Sequence, residues 1–215
     1  MKVIDFTHTI SEDMPVYPGT EGPKLRAANT YEKDGFKETL MTMYSHTGTH
    51  MDPPAHLFGH RTTLDDMDIQ QFVGKALVVD CSDLKEGDQV GMDRIDREKA
   101  DQADFLLFRM GWADKWGTDA YYGDYPCIDK AVAQYLIDSK KKGVGLDTIG
   151  IDPIPDEYLT IHRQLFAETE IVVMENLKNL DQAGNDLFFF CALPMKYKSS
   201  DGAPIRAIGI IGFQG

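Results

Sequence analysis

The sequence predicts an α/β protein built on a mixed β-sheet with few helices. Short segments rich in β-branched and aromatic residues recur along the chain, turns separate them, and one clear helical pattern lies between two of them. No internal repeat or low-complexity segment divides the sequence. We therefore expect a single domain over residues 1–215.

Eight predicted strands account for most of the regular structure. Each is a short apolar or alternating run bounded by turn-forming residues. In chain order they cover residues 3–10, 38–52, 76–81, 104–109, 144–149, 171–174, 187–194 and 205–213.

The clear helical pattern covers residues 129–142. Its apolar residues lie on one side, basic residues occupy its last turn, and Gly143 follows as a stop signal. With a strand on either side, this helix predicts a β-α-β crossover over residues 104–149, which joins parallel strands. Shorter helices are predicted over residues 92–99 and 163–168.

Composition and charge narrow the functional classes. The chain has a formal net charge of −13 and a pI near 4.8, so nucleic acids and anionic membranes would be repelled. Acidic residues interrupt the N-terminal segment where a signal peptide needs an apolar run, and no run approaches the ~18 apolar residues of a membrane span. The three widely spaced cysteines suggest no disulfide framework. We expect a cytoplasmic protein with a small-molecule substrate.

A dense histidine cluster at residues 46–56 predicts a metal site. If the strand over residues 38–52 is continuous, its period of two places His46, Gly48, His50 and Asp52 on one face. Two imidazoles and a carboxylate then converge, and the glycine leaves space between them for an ion. The paired prolines that follow end the strand and turn His56 back toward the same cavity, as a ligand or as an acid/base group.

Three alternatives compete with this interpretation. A helix would also bring His46 and His50 together, although Thr47-Gly48-Thr49 is poor helix sequence and no glutamate follows His46. His50 and Asp52 with a distant His162 satisfy the facial triad of an Fe(II) oxygenase. A protein that binds a metal or ligand without turnover would carry the same donors.

The histidine cluster also carries a resemblance to a known family. Residues 46–56 read HTGTHMDPPAH, which resembles the H-x-G-T-H-x-D-x-P-x-H motif of the cyclase family of metal-dependent hydrolases, including kynurenine formamidases (arylformamidases) and isatin hydrolases. Further matches extend along the chain to residues 5–10, 14–19, 109–112, 145–152, 162, 171–177 and 203–207. Departures are Met110, Gly150 and Ala203, where the family pattern carries hydroxyl side chains.

The resemblance implies a swivelling β/β/α-type fold with a strongly curved, barrel-like sheet. It implies that His46, His50 and Asp52 bind one metal, that Asp52 or Glu175 bridges to a second metal held with His162, and that His56 is the catalytic acid/base. The implied cofactor is Zn²⁺ or Mn²⁺, as one or two ions per chain. The implied reaction is attack of metal-bound hydroxide on a small amide, formamide or cyclic lactam, with lactone hydrolysis or a cyclase/dehydratase reaction as alternatives.

The distal site residues have weaker support in the sequence itself. Glu175 ends an apolar run and needs a cation or hydrogen bonds if buried, although a salt bridge to Lys178 would also serve. Asp147 and Asp152 either orient histidine ligands or cap turns, the turn being favoured for Asp152 before a proline. Tyr17 either faces an aromatic substrate or packs on the surface.

The expected assembly is a homodimer or homotetramer. Exposed apolar edges in a sheet-rich chain favour association, and the family resemblance implies the same.

Overall fold

The chain folds around a closed, barrel-like sheet of seven strands, as described by a computed structural model for residues 1–212. Its strands are β1 (Lys2–Asp5), β2 (Lys24–Asn29), β3 (Glu38–Thr42), β4 (His50–Asp52), β5 (Val73–Asp80), β6 (Gln89–Val90), β7 (Phe105–Arg109), β8 (Cys127–Ile128), β9 (Gly143–Leu146), β10 (Val172–Glu175), β11 (Phe188–Pro194) and β12 (Ala203–Ile211). Its α-helices are α1 (Tyr31–Asp34), α2 (Arg97–Ala100), α3 (Lys130–Asp138) and α4 (Thr160–Phe166).

The barrel is mixed, as predicted. Its order is β12-β11-β5-β7-β9-β10-β4, and β4 pairs again with β12 to close the ring. Strands β5, β7, β9 and β10 are parallel, and the remaining neighbours are antiparallel. Strand β1 adds to the other end of β12. The short strand β4 therefore pairs with both β10 and β12.

Two apolar cores lie on the two faces of this sheet. One fills the barrel and includes Met51, Leu107, Met174 and Phe190. The other lies between the outer face and the helices α3 and α4. Because side chains alternate along a strand, the neighbours of Met51 and Met174 face the outer layer. This alternation places His50, Asp52 and Glu175 outside the barrel rather than in it.

The predicted β-α-β crossover is confirmed. Strands β7 and β9 pair in parallel, and α3 lies between them in sequence. The carboxylate of Asp129 caps the helix by accepting a 2.8 Å hydrogen bond from the Val132 amide. The predicted helix end was wrong, because α3 stops at Asp138 and Lys140 adopts a left-handed φ of 53°. Gly143 begins β9 instead of ending the helix.

The predicted continuous strand over residues 38–52 was wrong. It splits into β3 and β4, and Gly48 between them has a left-handed φ of 64°, which is incompatible with extended structure. The predicted strand over residues 3–10 ends at Asp5. Residues 92–99 form a short 3₁₀ helix followed by α2.

Two further boundaries differ near the C-terminal half. Helix α4 starts at Thr160, so His162 lies within the helix and not before it. Strand β12 runs from Ala203 to Ile211, and Phe213 of the predicted strand lies outside the described residues. Within residues 1–212, no helix is long and apolar enough to cross a membrane.

A separate hairpin extends from the barrel. Strands β2 and β3 pair only with each other, and nearly all their residues are exposed. Large apolar side chains on and around this hairpin are open to solvent, namely Tyr31, Phe36, Leu40, Met41 and Tyr44. The sequence predicted β3 but not β2, because the β2 residues carry no hydrophobic alternation.

We expect Gly209→Ala to destabilise the protein. A methyl group at Gly209 would lie 2.7 Å from the Phe6 ring and 2.9 Å from the Phe188 ring inside the barrel, so packed aromatic side chains would have to move. Overpacking of this kind costs about 1–3 kcal/mol. Gly59→Ala is the matched control, because its methyl group would meet nothing within 4 Å. Urea unfolding followed by circular dichroism measures the stability of both variants. Equal urea midpoints for Gly209→Ala and Gly59→Ala would contradict the packing analysis.

Candidate metal centre

The site is assembled where β4 and β10 lie side by side. In their antiparallel register, Glu175 is opposite His50, and Val173 is opposite Asp52. His50 and Asp52 share a face because they are two residues apart on a strand, and Met51 points into the barrel. Helix α4 brings His162 over the same face. The exposed fractions of His50, Asp52, His162 and Glu175 are only 1–5%.

The two carboxylates each contact both imidazoles. His50 Nε2 lies 3.4 Å from Asp52 Oδ1 and 3.5 Å from Glu175 Oε2. His162 Nε2 lies 3.5 Å from Asp52 Oδ2 and 3.5 Å from Glu175 Oε1. Two ligand atoms at about 2.0–2.1 Å from one ion in tetrahedral geometry are about 3.4 Å apart. The spacing therefore fits donors that share a cation better than donors that bond to each other.

A hydrogen bond at Nδ1 orients each of these two imidazoles. Gly48 O accepts from His50 Nδ1 at 2.8 Å, and Asp152 Oδ2 lies 2.7 Å from His162 Nδ1. Asp152 also accepts from the backbone amides of Ile161 and His162 at the start of α4. The buried Nε2 of His162 is left without a hydrogen-bond partner. An acceptor behind each imidazole is the usual arrangement around metal-ligating histidines.

His46 joins the cluster from the loop before β4. Its Nδ1 lies 2.6 Å from Asp52 Oδ1, and its Nε2 faces Asp201 Oδ2 at 3.5 Å. A side chain at Gly202 would overlap the His46 ring, so this glycine is required for the ring to fit. Three donor groups follow from these positions: His46/His50/Asp52, Asp52/His162/Glu175 and His46/His56/Asp201.

His56 lies beside the cluster on the 3₁₀ helix Pro54–His56. Its ring centroid is 4.1 Å from that of His46 and 6.0 Å from that of His162. Burial lowers the pKa of His56 to about 4; Asp52 opposes this shift, and the neighbouring imidazoles add to it. His56 is therefore neutral at neutral pH, and it is a weaker base than an exposed imidazole.

The charges of the cluster demand a positive partner. Burial raises the pKa of Glu175 to about 8, and the nearby Asp52 adds to the shift. Burial alone would lower the pKa of His162, but Asp152, Asp52 and Glu175 outweigh it and raise this pKa to about 10. Either protons or a cation must offset the buried carboxylates. An imidazole and carboxylate donor set with an unpartnered Nε2 fits a divalent metal ion.

Gly48 and Asn176 fix the backbone around His50. The Gly48 carbonyl also accepts from Asn176 Nδ2 at 2.9 Å, and Tyr121 Oη donates to Asn176 Oδ1 at 2.7 Å. A side chain on Gly48 would meet Met14 and not the donor atoms, so the predicted role of Gly48 as an empty space for the ion was wrong. Its carbonyl and left-handed backbone matter instead. Sequence analysis gave Asn176 no role, although it lies in the segment 171–177 that resembles the family pattern.

The two acidic residues Asp147 and Asp152 have different roles. Asp147 accepts from the amides of Met110 and Trp112, so it holds the turn after β7 and contacts no site histidine. Asp152 orients His162, the role that sequence analysis ranked second for this residue. At Gly150 a side chain would lie 3.0 Å from the Tyr125 hydroxyl, which explains the absence of a side chain there.

A cavity of about 570 Å³ opens onto the donors. The predicted substrate residue Tyr17 lines it, as do Tyr44 and all six histidine, aspartate and glutamate residues predicted for the site: His46, His50, Asp52, His56, His162 and Glu175. Burial raises the pKa of Tyr17, and the negative charges of Glu175, Asp152 and Asp156 raise it further. The structure thus brings every predicted site residue to one place.

Comparison with known proteins identifies the family. The Cyclase family model matches residues 4–153. The chain belongs to the Cyclase family. Among Cyclase relatives, the kynurenine formamidase of Bacillus thuringiensis (strain Al Hakam) is 28% identical over 206 residues, which cover 95% of each chain. That of Bacillus anthracis is 28% identical over 208 residues, or 96% of each chain.

Solved structures share the Cyclase fold. An isatin hydrolase bound to the product analogue thioisatinate superposes with a TM-score of 0.84 at 22% identity, covering 98% of this chain and 92% of that one. A potential metal-dependent hydrolase with cyclase activity superposes with a TM-score of 0.79 at 27% identity, covering 97% of this chain and 96% of that one. The predicted family and fold class are confirmed.

We expect His50→Ala and Asp52→Ala to lose most of the metal bound by the wild-type protein. Each variant removes one of few donors, and the remaining donors compete poorly with water for the ion. His60→Ala is the matched control, because His60 is exposed and lies outside the donor groups. Elemental analysis of purified protein measures the content. Wild-type metal levels in both site variants would refute the assignment.

Proposed function

We propose that this protein is a metal-dependent hydrolase that cleaves the carbon–nitrogen bond of a small amide, formamide or cyclic lactam. The main support is the geometry of four side chains: the imidazoles of His50 and His162 lie 3.4–3.5 Å from the carboxylates of Asp52 and Glu175. The similarity to kynurenine formamidases and to a metal-dependent hydrolase supports the reaction class.

The proposed metal ligands are His46, His50, Asp52, His162 and Glu175, with Zn²⁺ or Mn²⁺ as one or two ions per chain. Asp52 and Glu175 each direct one oxygen toward His50 and the other toward His162, which is how bridging carboxylates are placed. A bound divalent cation would polarise the substrate carbonyl and lower the pKa of a water molecule to about 7.

His56 is the proposed acid/base. It lines the cavity next to the donors, where its neutral imidazole can take a proton from a water molecule that a bound cation would make more acidic. It then delivers this proton to the nitrogen that leaves as the amide bond breaks. The rings of Tyr17 and Tyr44 form walls that suit a flat or aromatic substrate, and the volume of about 570 Å³ suits a small molecule.

The contacts of Glu175 argue against the facial-triad alternative. An Fe(II) oxygenase site needs only two histidines and one carboxylate, whereas Glu175 lies 3.5 Å from both imidazoles and would be a fourth donor. A lactone hydrolase would use the same groups on an ester carbonyl. A panel of formamides, lactams and lactones, tested with metal-loaded protein and with Asp52→Ala, separates these reactions. Turnover of none of them would reject the proposal.

We further propose a cytoplasmic homodimer or homotetramer that binds neither nucleic acid nor membrane. The β2–β3 hairpin supports the assembly, because an isolated two-stranded hairpin with exposed apolar side chains is marginally stable alone. Residues 24–44 hold four basic and three acidic residues, so the rest of the chain carries −14. A slightly basic arm complements the acidic body of a second copy.

His56→Ala should slow turnover by roughly 10²–10⁴-fold, the usual contribution of one general acid/base, while metal content stays at the wild-type level. Steady-state kinetics and elemental analysis on the same preparation measure both. His60→Ala should leave both unchanged. A loss of metal would instead make His56 a ligand, as in the group His46/His56/Asp201.

Leu40→Glu should shift the protein toward a single 24.1 kDa species, because it places a charge on the apolar surface of β3. Sedimentation velocity measures the change. Ile69→Glu is the matched control, since Ile69 is equally exposed but lies away from the hairpin. A monomeric wild-type protein would contradict the assembly.

A further inference from the structure

The cavity beside the metal centre is lined by acidic side chains, with histidines as the only basic ones among its described residues. None of the residues that line it, within the described residues 1–212, is lysine or arginine. Its charged side chains other than histidine are Asp52, Asp152, Glu157 and Glu175. The whole chain has a formal net charge of −13 at pH 7. Away from the histidines of the metal centre, a negatively charged substituent would therefore find no cationic side chain to replace its lost hydration.

Bound metal would offset this charge only at the inner end. Asp52 and Glu175 are proposed ligands, and Asp152 is engaged by His162 and the first amides of α4. Glu157 differs from all three. It is exposed, forms no ion pair with any residue of the described chain, and lies in the segment between Asp152 and α4. Glu157 therefore contributes to the cavity an exposed negative charge that no ion pair of the described residues offsets.

Apolar side chains also line the cavity. They include Pro15, Val16 and Tyr17, and Ile154 and Leu159, which are close to Glu157 in sequence. A substrate with its amide at the donors would lay its remaining portion along these groups. Burial raises the pKa of Tyr17 at this wall, and the negative charges of Glu175, Asp152 and Asp156 raise it further.

We propose that this cavity selects amides whose non-reacting portion is cationic or uncharged over amides that carry a carboxylate there, and that Glu157 sets this preference. The inference rests on the proposed hydrolase function and adds the charge class of its substrate. Glu157 acts as a specificity residue and touches no reacting atom.

Three substrates with the same reacting group test the inference. They are formanilides with a para-aminomethyl, para-carbamoylmethyl or para-carboxymethyl substituent, which are cationic, uncharged and anionic at neutral pH. The methylene group keeps each charge out of conjugation with the aniline ring, and each kcat/KM is divided by the rate of hydroxide-catalysed hydrolysis of the same compound to remove the remaining inductive difference. The readout is kcat/KM of the metal-loaded enzyme, which unproductive binding of the carboxylate to the metal does not change.

We expect kcat/KM to fall in the order cationic, uncharged, anionic, with about tenfold between the ends at low ionic strength. Added salt should compress the range, because Glu157 is exposed and its charge is screened. Glu157→Gln should reduce the cation-to-anion ratio about threefold, and Glu157→Lys should reduce it further. Glu168→Gln is the control: it changes the net charge by the same amount, and Glu168 is exposed outside this cavity.

The outcomes separate the two proposals. Hydrolysis of all three formanilides with equal or reversed order would overturn the charge preference and leave the hydrolase function standing. An equal response of Glu157→Gln and Glu168→Gln would show that net charge, and not Glu157, sets the order, which also overturns the inference. No hydrolysis of these compounds or of the amide and lactam panel would reject the hydrolase function and this inference with it.

Discussion

The burial of Asp52 and Glu175 on adjacent strands is the constraint on which the rest of the site depends. Two carboxylates that are 1% and 5% exposed cannot both remain charged without a positive partner. Strand β4 brings them together by pairing with β10, and the same strand closes the barrel by pairing with β12. The strand that completes the barrel thus also carries the donors His50 and Asp52, so barrel closure and site geometry depend on the same strand pairings.

The site also depends on the orientation of its imidazoles. His50 and His162 present Nε2 to the carboxylates because other groups hold their Nδ1 atoms, a backbone carbonyl in one case and Asp152 in the other. The backbone carbonyl belongs to Gly48, whose left-handed conformation Asn176 supports. Asn176 is itself left-handed with a φ of 58°, a conformation that costs a non-glycine residue of order 1 kcal/mol or more. That strain lies directly beside Glu175.

Local sequence patterns predicted the parts of the site that depend on local geometry. The positions of His50 and Asp52 on one face follow from strand alternation alone, and that prediction held although the longer strand around it broke at Gly48. Which acid meets His162 depends on how α4 approaches the sheet, and no spacing in the sequence distinguishes Asp147 from Asp152. Gly202 and Asn176 likewise contact residues far away in sequence, namely His46 for Gly202, and Gly48 and Tyr121 for Asn176. The resemblance supplied the distal donors that periodicity could not.

The same buried charges couple metal binding to protons. Without metal, Glu175 has its pKa raised to about 8 and His162 to about 10, so both hold a proton at neutral pH. A folded-state pKa above the unfolded value stabilises the fold at low pH, and this contribution is lost as pH rises through about 8 and then about 10. A cation takes the place of those protons and must displace them. The metal-free fold therefore loses stability in the pH range where metal affinity grows, and the ion becomes the more important stabilising partner as pH rises.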